Sequence, residues 1–355
     1  MTAPHRMLPQ SAAGWAGLAL VALVLAALPL VATPYYVGLI TMAMSAAMLA
    51  LSLHVLVGAT GLVSLGHGAF YGLAAYTVYL LSPEGTARPI WQTLPAAMLV
   101  AGIAALVVGA LSLRTKGFFF LMVTLAFGQM IFSVVHDTKL GGGTDGAYLA
   151  KPALSLLGFT FDPQSLPRSR RGWPAYYVAL LQLMLTYLVL AFLLRSLFGR
   201  VLEGIKVNEH RMVAMGFDTQ KYKLAAFVVA GVLAGAAGHM WALHSGFVNP
   251  ELVGWHKSAE ALLMILLGGI GSLTGAVVGA FAFVALGEIA QLITERKLLV
   301  EGIVILIAVV LMRDGLMGLK LPGATLPEPL RGLSYEPDQI VETQRGSRHG
   351  ADADA

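Results

Sequence analysis

Between residues 14 and 312 the chain is a succession of apolar runs, and their length limits what it can become. Each run is about 17–25 residues long, the reach of a helix across a bilayer, and none alternates polar with apolar as a barrel strand does. Lipid offers no water to a bare backbone, so a spanning segment must close its own hydrogen bonds, as a helix does. Only 12% of the 355 residues are charged, whereas a soluble domain carries roughly a quarter, and mean hydropathy is +0.76. The missing charge is what a water-facing surface would need. The expected fold is therefore an all-α polytopic membrane protein with about 8–10 transmembrane helices.

The first run, Trp15 to Ala32, is long for a signal-peptide core, and another span follows at once, which favours a retained span. Further spans are expected over Tyr36–Leu56, the glycine-marked stretch 56–81, Leu94–Leu113, Phe118–Val135, Tyr176–Leu194, Leu224–Leu243 and Leu298–Met312. The region from Ser258 to Ile293 is apolar but cut by GGIGSLTG (Gly268–Gly275). Three short crossings of 258–312, or one crossing with re-entrant pieces, would both fit. Outside the transmembrane region 14–312 lie residues 1–13 and a polar tail, 313–355, whose Pro, Gly and charge predict disorder.

The basic residues orient the chain. With the N-terminus cytoplasmic, Arg114, Lys116, the polar island 195–223 and the tail with Arg313, Lys320 and Arg331 all fall inside, as the positive-inside rule requires. The long connection 136–174 carries Lys139, Lys151, Arg168, Arg170 and Arg171 yet falls outside; long loops obey the rule less strictly. The net charge of +4 is thus a topology signal and not a nucleic-acid signal.

The island, RSLFGRVLEGIKVNEHRMVAMGFDTQKYK, is the largest polar interruption between spans. Val201, Ile205, Met212 and Met215 recur at helical spacing, predicting a short amphipathic helix that stops near Gly216. Such a segment can dock a soluble partner, or simply be a solvated loop that fixes orientation.

Little else offers chemistry. There is no cysteine, no Walker A pattern, no HExxH and no nucleophile elbow, so metal sites of those kinds and ATP hydrolysis by that route are excluded for this chain. His239 and His244 are five apart, off the i, i+4 face of a helical metal pair, and read as span-end histidines. Glu260, Glu288 and Glu295 fall near expected span ends, where snorkelling wets them. No span shows the paired buried charges of an ion-coupled carrier.

What remains is glycine. Gly58, Gly61, Gly66, Gly68 and Gly72 bracket Ser64 and His67, and Gly268, Gly269, Gly271 and Gly275 surround Ser272 and Thr274. Such residues let helices pack closely, or let a helix break in mid-membrane beside a solute path. The candidate path residues are Ser64, Gly66, His67, Gly68 and Phe70, with Gly268, Gly269, Gly271 and Ser272. His67, ionisable at this depth, either serves function or caps a break. A third cluster, GGGTDG (Gly141–Gly146), offers Gly142, Thr144 and Asp145 to an outer mouth or a partner, or is a plain turn.

Several stretches in order carry a resemblance: GLVSLGHGAFYGLAAY (61–76), FFFLMVTLAFGQ (118–129), Gly141–Gly146, the segment Gly199–Gly238 with AGVLAGAAG, SAEALLMILLGGIGSLTGAVVGA (258–280) and RDGLMG (313–318). The sequence resembles the permease subunits of branched-chain amino acid ABC importers, specifically the LivM-like branch, over about residues 36–318. The resemblance implies a non-enzymatic permease in the inner membrane, working with a LivH-like second permease, two cytoplasmic ABC ATPase subunits and a periplasmic substrate-binding protein. It implies no cofactor in this chain, ATP and Mg being held by the ATPases. It makes 195–223 the coupling segment, with Glu203, Asn208, Glu209, Arg211 and Gly216 as candidate contacts. Glu209 and Gly216 are seven apart where the general E-A-A-x-x-x-G loop has six, and no Ala pair follows the Glu. Urea, short amides and aromatic acids are cargoes that similar permeases carry, and an ion-coupled secondary transporter is the rival of another class.

Overall fold

The computed structural model describes residues 12–83, 88–138, 141–150, 154–156, 159–161, 167, 170–293, 296, 299–300, 302–303, 306 and 315–318. Most of the expected last span, Glu295, most of 1–13 and the tail beyond 318 lie outside the described residues.

The chain winds into α1 (Ala12–Ala27), α2 (Pro34–His54), α3 (His67–Leu81), α4 (Ile90–Ser112), α5 (Phe118–Asp137), α6 (Trp173–Arg195), α7 (Leu197–Val207), α8 (Glu209–Ala214), α9 (Thr219–Ser245), α10 (Trp255–Gly268) and α11 (Leu273–Ile293). Among the described residues, six helices are long and apolar enough to cross a membrane; α1, α3 and α10 are shorter. Their boundaries follow local chemistry. Proline occupies the first turn of α2 and α6, where its missing N–H costs nothing. The Asp218 carboxylate caps α9 by accepting from the Lys221 N–H, and Gly246, at φ +68°, takes the left-handed turn that ends it.

α2 and α9 form the centre. Lipid tails are as apolar as leucine, so helices here associate through close packing and not through hydrophobic exclusion. α9 supplies small residues at the needed spacing: a side chain on Gly231 would strike Ala105 Cβ, and one on Gly235 would lie 2.8 Å from Ala101 Cβ. Gly238 faces the Tyr71 carbonyl of α3 in the same way. Ala97, Ala101 and Ala105 thus form a ridge along α4 that fits the glycine face of α9. The outward faces stay apolar, with Leu99, Ile103 and Val107 on α4, Phe119, Met122 and Met130 on α5, and Leu181, Leu188 and Phe192 on α6. α1 lies on α6, where the Tyr176 hydroxyl donates to the Leu25 carbonyl at 2.6 Å and the Arg195 guanidinium covers the Trp15 ring.

α11 runs antiparallel to α2. The Tyr35 hydroxyl at the start of α2 bonds the Glu288 carboxylate, while His54 at its end bonds the Ile270 carbonyl. α10 and α11 close into a hairpin whose backbones meet at Gly268, Gly275 and Gly279, and Gly315 returns against Gly269.

Three expectations change. The island is not one amphipathic helix but two, α7 and α8, parted at Asn208, whose extended backbone (φ −157°, ψ 99°) cannot continue a helix. Val201 and Ile205 are buried as expected, but Met215 is exposed. His239 is not a wet span-end residue; it is wholly buried and shares a hydrogen bond of 3.0 Å with Thr93 of α4.

Candidate functional site

The first glycine-marked stretch is a broken helix. Beyond His54, α2 widens to the π pitch over Val55–Thr60, and the Thr60 hydroxyl donates back to the Leu56 carbonyl at 2.7 Å. Gly61, at φ +74°, then turns the chain. Residues 61–66 are not helical, and α3 starts at His67. His67 Nε2 meets Ser52 Oγ at 2.9 Å. Ser52 precedes Thr60 by eight residues, about 12 Å of helix, so the chain climbs back and α3 begins inside the membrane's depth.

Non-helical backbone at that depth is tolerated only inside protein or beside a water-lined path; here Ser64 and Gly66 are buried, Leu62, Val63 and Leu65 half-buried, and Gly61 exposed. Leu62 N–H donates to the Leu56 carbonyl, Leu65 N–H to Thr124 Oγ1, and Gly68 N–H to Ser258 Oγ of α10 at 2.6 Å. The glycines are the points of closest approach. A side chain on Gly66 would overlap the Thr124 carbonyl of α5, and one on Gly68 would stand 2.8 Å from the Gly254 carbonyl. Phe70 is buried, edge-on to both His67 and Phe227. Ser64 Oγ and His67 Nδ1 are buried with no hydrogen-bond partner among the described residues.

The second break sits between α10 and α11. Gly269, at φ +109°, leaves α10, and Ser272 Oγ accepts from the Gly275 N–H at 2.9 Å, capping α11. Gly271 faces open space. The two breaks are joined by His54, which sequence reasoning passed over because it looked like one more residue in a span. It is fully buried, and its Nε2 lies 3.0 Å from the Ile270 carbonyl. A carbonyl can only accept, so Nε2 carries the proton. All the path candidates therefore gather around two adjoining breaks.

The island packs at the same end. Lys206 of α7 extends its ammonium to the Gly58 carbonyl at 2.7 Å. Gly58 belongs to the last turn of the long helix, where carbonyls lack helical partners and the helix dipole is negative. A cation there contributes about 0.3–1 kcal/mol. The coupling candidates divide. Asn208 caps α8 by accepting from the Arg211 N–H at 3.0 Å, and Gly216, at φ +88°, ends it. Glu209 turns inward to α9: its carboxylate meets Lys223 Nζ at 2.7 Å and the Thr219 hydroxyl at 3.1 Å. Glu203 is half-buried on α7, whereas Arg211 is exposed, beside Val207, Val213 and Met215, whose apolar side chains also face outward.

Partial burial works to raise the Glu209 pKa, but Lys223, Thr219 and the Lys116 charge outweigh it and hold the carboxyl below its ordinary value. A carboxylate lowered in the folded state stabilises above its unfolded pKa of about 4.3, and that contribution disappears as pH falls through the lower folded value. Protection against hydrogen exchange in 209–219, taken relative to the intrinsic rate at each pH, is therefore expected to fall below about pH 4 in the wild type, and Glu209→Gln is expected to abolish that step. A step that survives in the variant would remove Glu209 as its source.

At the opposite end, Gly141, Gly142, Gly143 and Gly146 all take positive φ, leaving Thr144 and Asp145 exposed at the tip of a tight turn. The strand after it, β1 (Ala147–Tyr148), pairs antiparallel with β4 (Phe247–Val248) just past α9. Between them β2 (Leu154–Leu156) and β3 (Phe159–Phe161) form a hairpin.

The family described as branched-chain amino acid transport system, permease component, matches residues 35–309. The chain is 31% identical to the high-affinity branched-chain amino acid transport system permease protein LivM of Escherichia coli K12, over 81% of this chain and 71% of that one. The Salmonella typhimurium LivM is 32% identical over the same shares. The Salmonella typhimurium LivH is 22% identical, over 79% of this chain and 93% of its own. No solved structure matches. The matched segment contains both broken helices and the whole island, and on that extent the chain belongs to the family of permease components of branched-chain amino acid transport systems.

Proposed function

We propose that this chain is one of two permeases in an ABC importer, moving branched-chain amino acids across the inner membrane with ATP and Mg bound on separate ATPase subunits. The observation that carries the reading is a basic two-helix island with an exposed apolar tip, docked at the end of the molecule where both helix breaks lie. That end is cytoplasmic in this reading, which also places the Thr144 and Asp145 turn toward a periplasmic binding protein. The ATPase meets Arg211, Val213 and Met215, while Glu209 braces α8 from behind. The second permease is LivH-like.

An amino acid suits a path beside these breaks. Its carboxylate can approach the positive N-terminus of a helix that begins in mid-membrane, its amine can approach freed carbonyls, and an aliphatic side chain needs only apolar walls. Access alternates as ATP binding draws the islands of the two permeases together.

The test is uptake into proteoliposomes holding this chain, its partner permease, ATPases and binding protein, with labelled leucine and competing urea. ATP-dependent leucine uptake is the expected result. ATP-dependent urea uptake without leucine would change the cargo, and uptake by this chain by itself on an ion gradient would overturn the reading.

A further inference from the structure

We propose that Lys206 is the positioning residue through which the island sets the geometry of the helix breaks. The proposal rests on the importer reading above and names the route by which movement of the island reaches the path. Three contacts run in series. The Lys206 ammonium holds the Gly58 carbonyl at 2.7 Å. Gly58 lies under the His54 ring so closely that a Cβ there would stand 2.6 Å from it. His54 Nε2 then holds the Ile270 carbonyl in the second break at 3.0 Å.

The Gly58 carbonyl is a sensitive handle. It sits in a wide π turn three residues before the Gly61 reversal, and neighbouring donors are spent elsewhere: Gly61 N–H, Leu62 N–H and the Thr60 hydroxyl all converge on the Leu56 carbonyl. Lys206 therefore supplies a donor to Gly58 that the helix itself does not. The lysine stem also lies along the reversal, since a Cβ on Gly61 would meet Lys206 Cγ at 3.4 Å. Among the described residues Lys206 forms no ion pair, so its charge is directed at this carbonyl. A displacement of α7 must either carry the π turn with it or break the contact. Glycine at position 58 admits the imidazole, and the imidazole transmits the shift to Ile270. Residues of three elements thus share one two-ended link between a cytoplasm-facing helix and both breaks.

The experiment compares wild type, Lys206→Met and Lys206→Arg in the complete importer, reading ATP hydrolysed per leucine imported, and in parallel reads hydrogen exchange along the purified chain. Lys206→Met is expected to raise the ATP-to-leucine ratio severalfold and to speed exchange about two- to fivefold over 58–66, leaving α9 unchanged. Lys206→Arg, which keeps charge and donors, is expected to restore most of both. A wild-type ratio in Lys206→Met, unchanged exchange at the break, or faster exchange spread through α9 that Arg does not repair would each overturn the proposal. Should the wild type show no ATP-dependent uptake, the importer reading fails by itself, and exchange over 58–66 still decides whether Lys206 holds the break.

Discussion

Gly66→Leu is expected to yield little folded protein. The obstacle is the Thr124 carbonyl, a backbone atom inside α5 that cannot rotate aside as a side chain would. Gly128, one turn further along the same face of α5, also lies against this point, with a would-be Cβ 3.2 Å from Gly66 Cα. Overpacking a close-packed site typically costs 1–3 kcal/mol, and against backbone that cannot give way the cost belongs at or above about 3 kcal/mol. Gly66→Ala already meets the same carbonyl and should lower the melting temperature in detergent. Gly271→Ala is the contrast: it belongs to the second glycine cluster but has open space around it, and should melt like wild type. Thermal melting and the monodisperse fraction on size exclusion check both. If Gly66→Leu folds normally and yet fails to import, Gly66 lines the passage and is not a packing glycine.

The second large effect is at His67. The ring is fully buried, joined to Ser52 and edge-on to Phe70. His67→Ala removes a side chain comparable in size to the aliphatic residues whose truncation costs about 2–5 kcal/mol, while the Ser52 hydroxyl keeps its bond to the Leu49 carbonyl. Ser52→Ala should cost less, about 1–3 kcal/mol, since it leaves His67 Nε2 buried without this partner but opens no comparable void. The double variant should fall short of the sum by about the energy of the shared bond, because the two residues are in contact. If imported leucine per folded molecule stays at the wild-type level in His67→Ala, the histidine is an anchor of the break. If it falls far below, the buried Nδ1, without a partner among the described residues, has a role in transport.

The fold was legible because its determinant, uninterrupted apolar length, is written residue by residue. The helix breaks were legible for the same reason: glycine clusters at 58–72 and 268–275 announce backbone that comes close to something. What they come close to was not legible. Nothing near Gly66 in sequence points to Thr124, and nothing near Gly68 points to Ser258, because such pairings exist only once distant spans are laid side by side. His54 and Lys206 were missed for a related reason. A histidine in an apolar run and a lysine in a basic island look ordinary until their partners prove to be backbone carbonyls, which every residue has. Glu209 was visible as an acid in the polar island, but its inward turn toward Lys223 depends on how α8 folds back on α9.

The continuous helix from Pro34 to Thr60 has 27 residues, 83% of its apolar window enclosed by the rest of the chain. At 1.5 Å per residue it is about 40 Å long, well beyond a hydrocarbon slab of about 30 Å. A helix so enclosed never meets lipid along most of its length, so its excess creates no mismatch. The 20–23 residues of α4, α5 and α6, enclosed to 33%, 22% and 44%, are what the surrounding acyl chains actually measure. Membrane thickness can therefore act on this protein only through its periphery. The turn at Gly61 is set by protein contacts at a fixed depth, and thinner or thicker bilayers should tilt the outer helices without moving it.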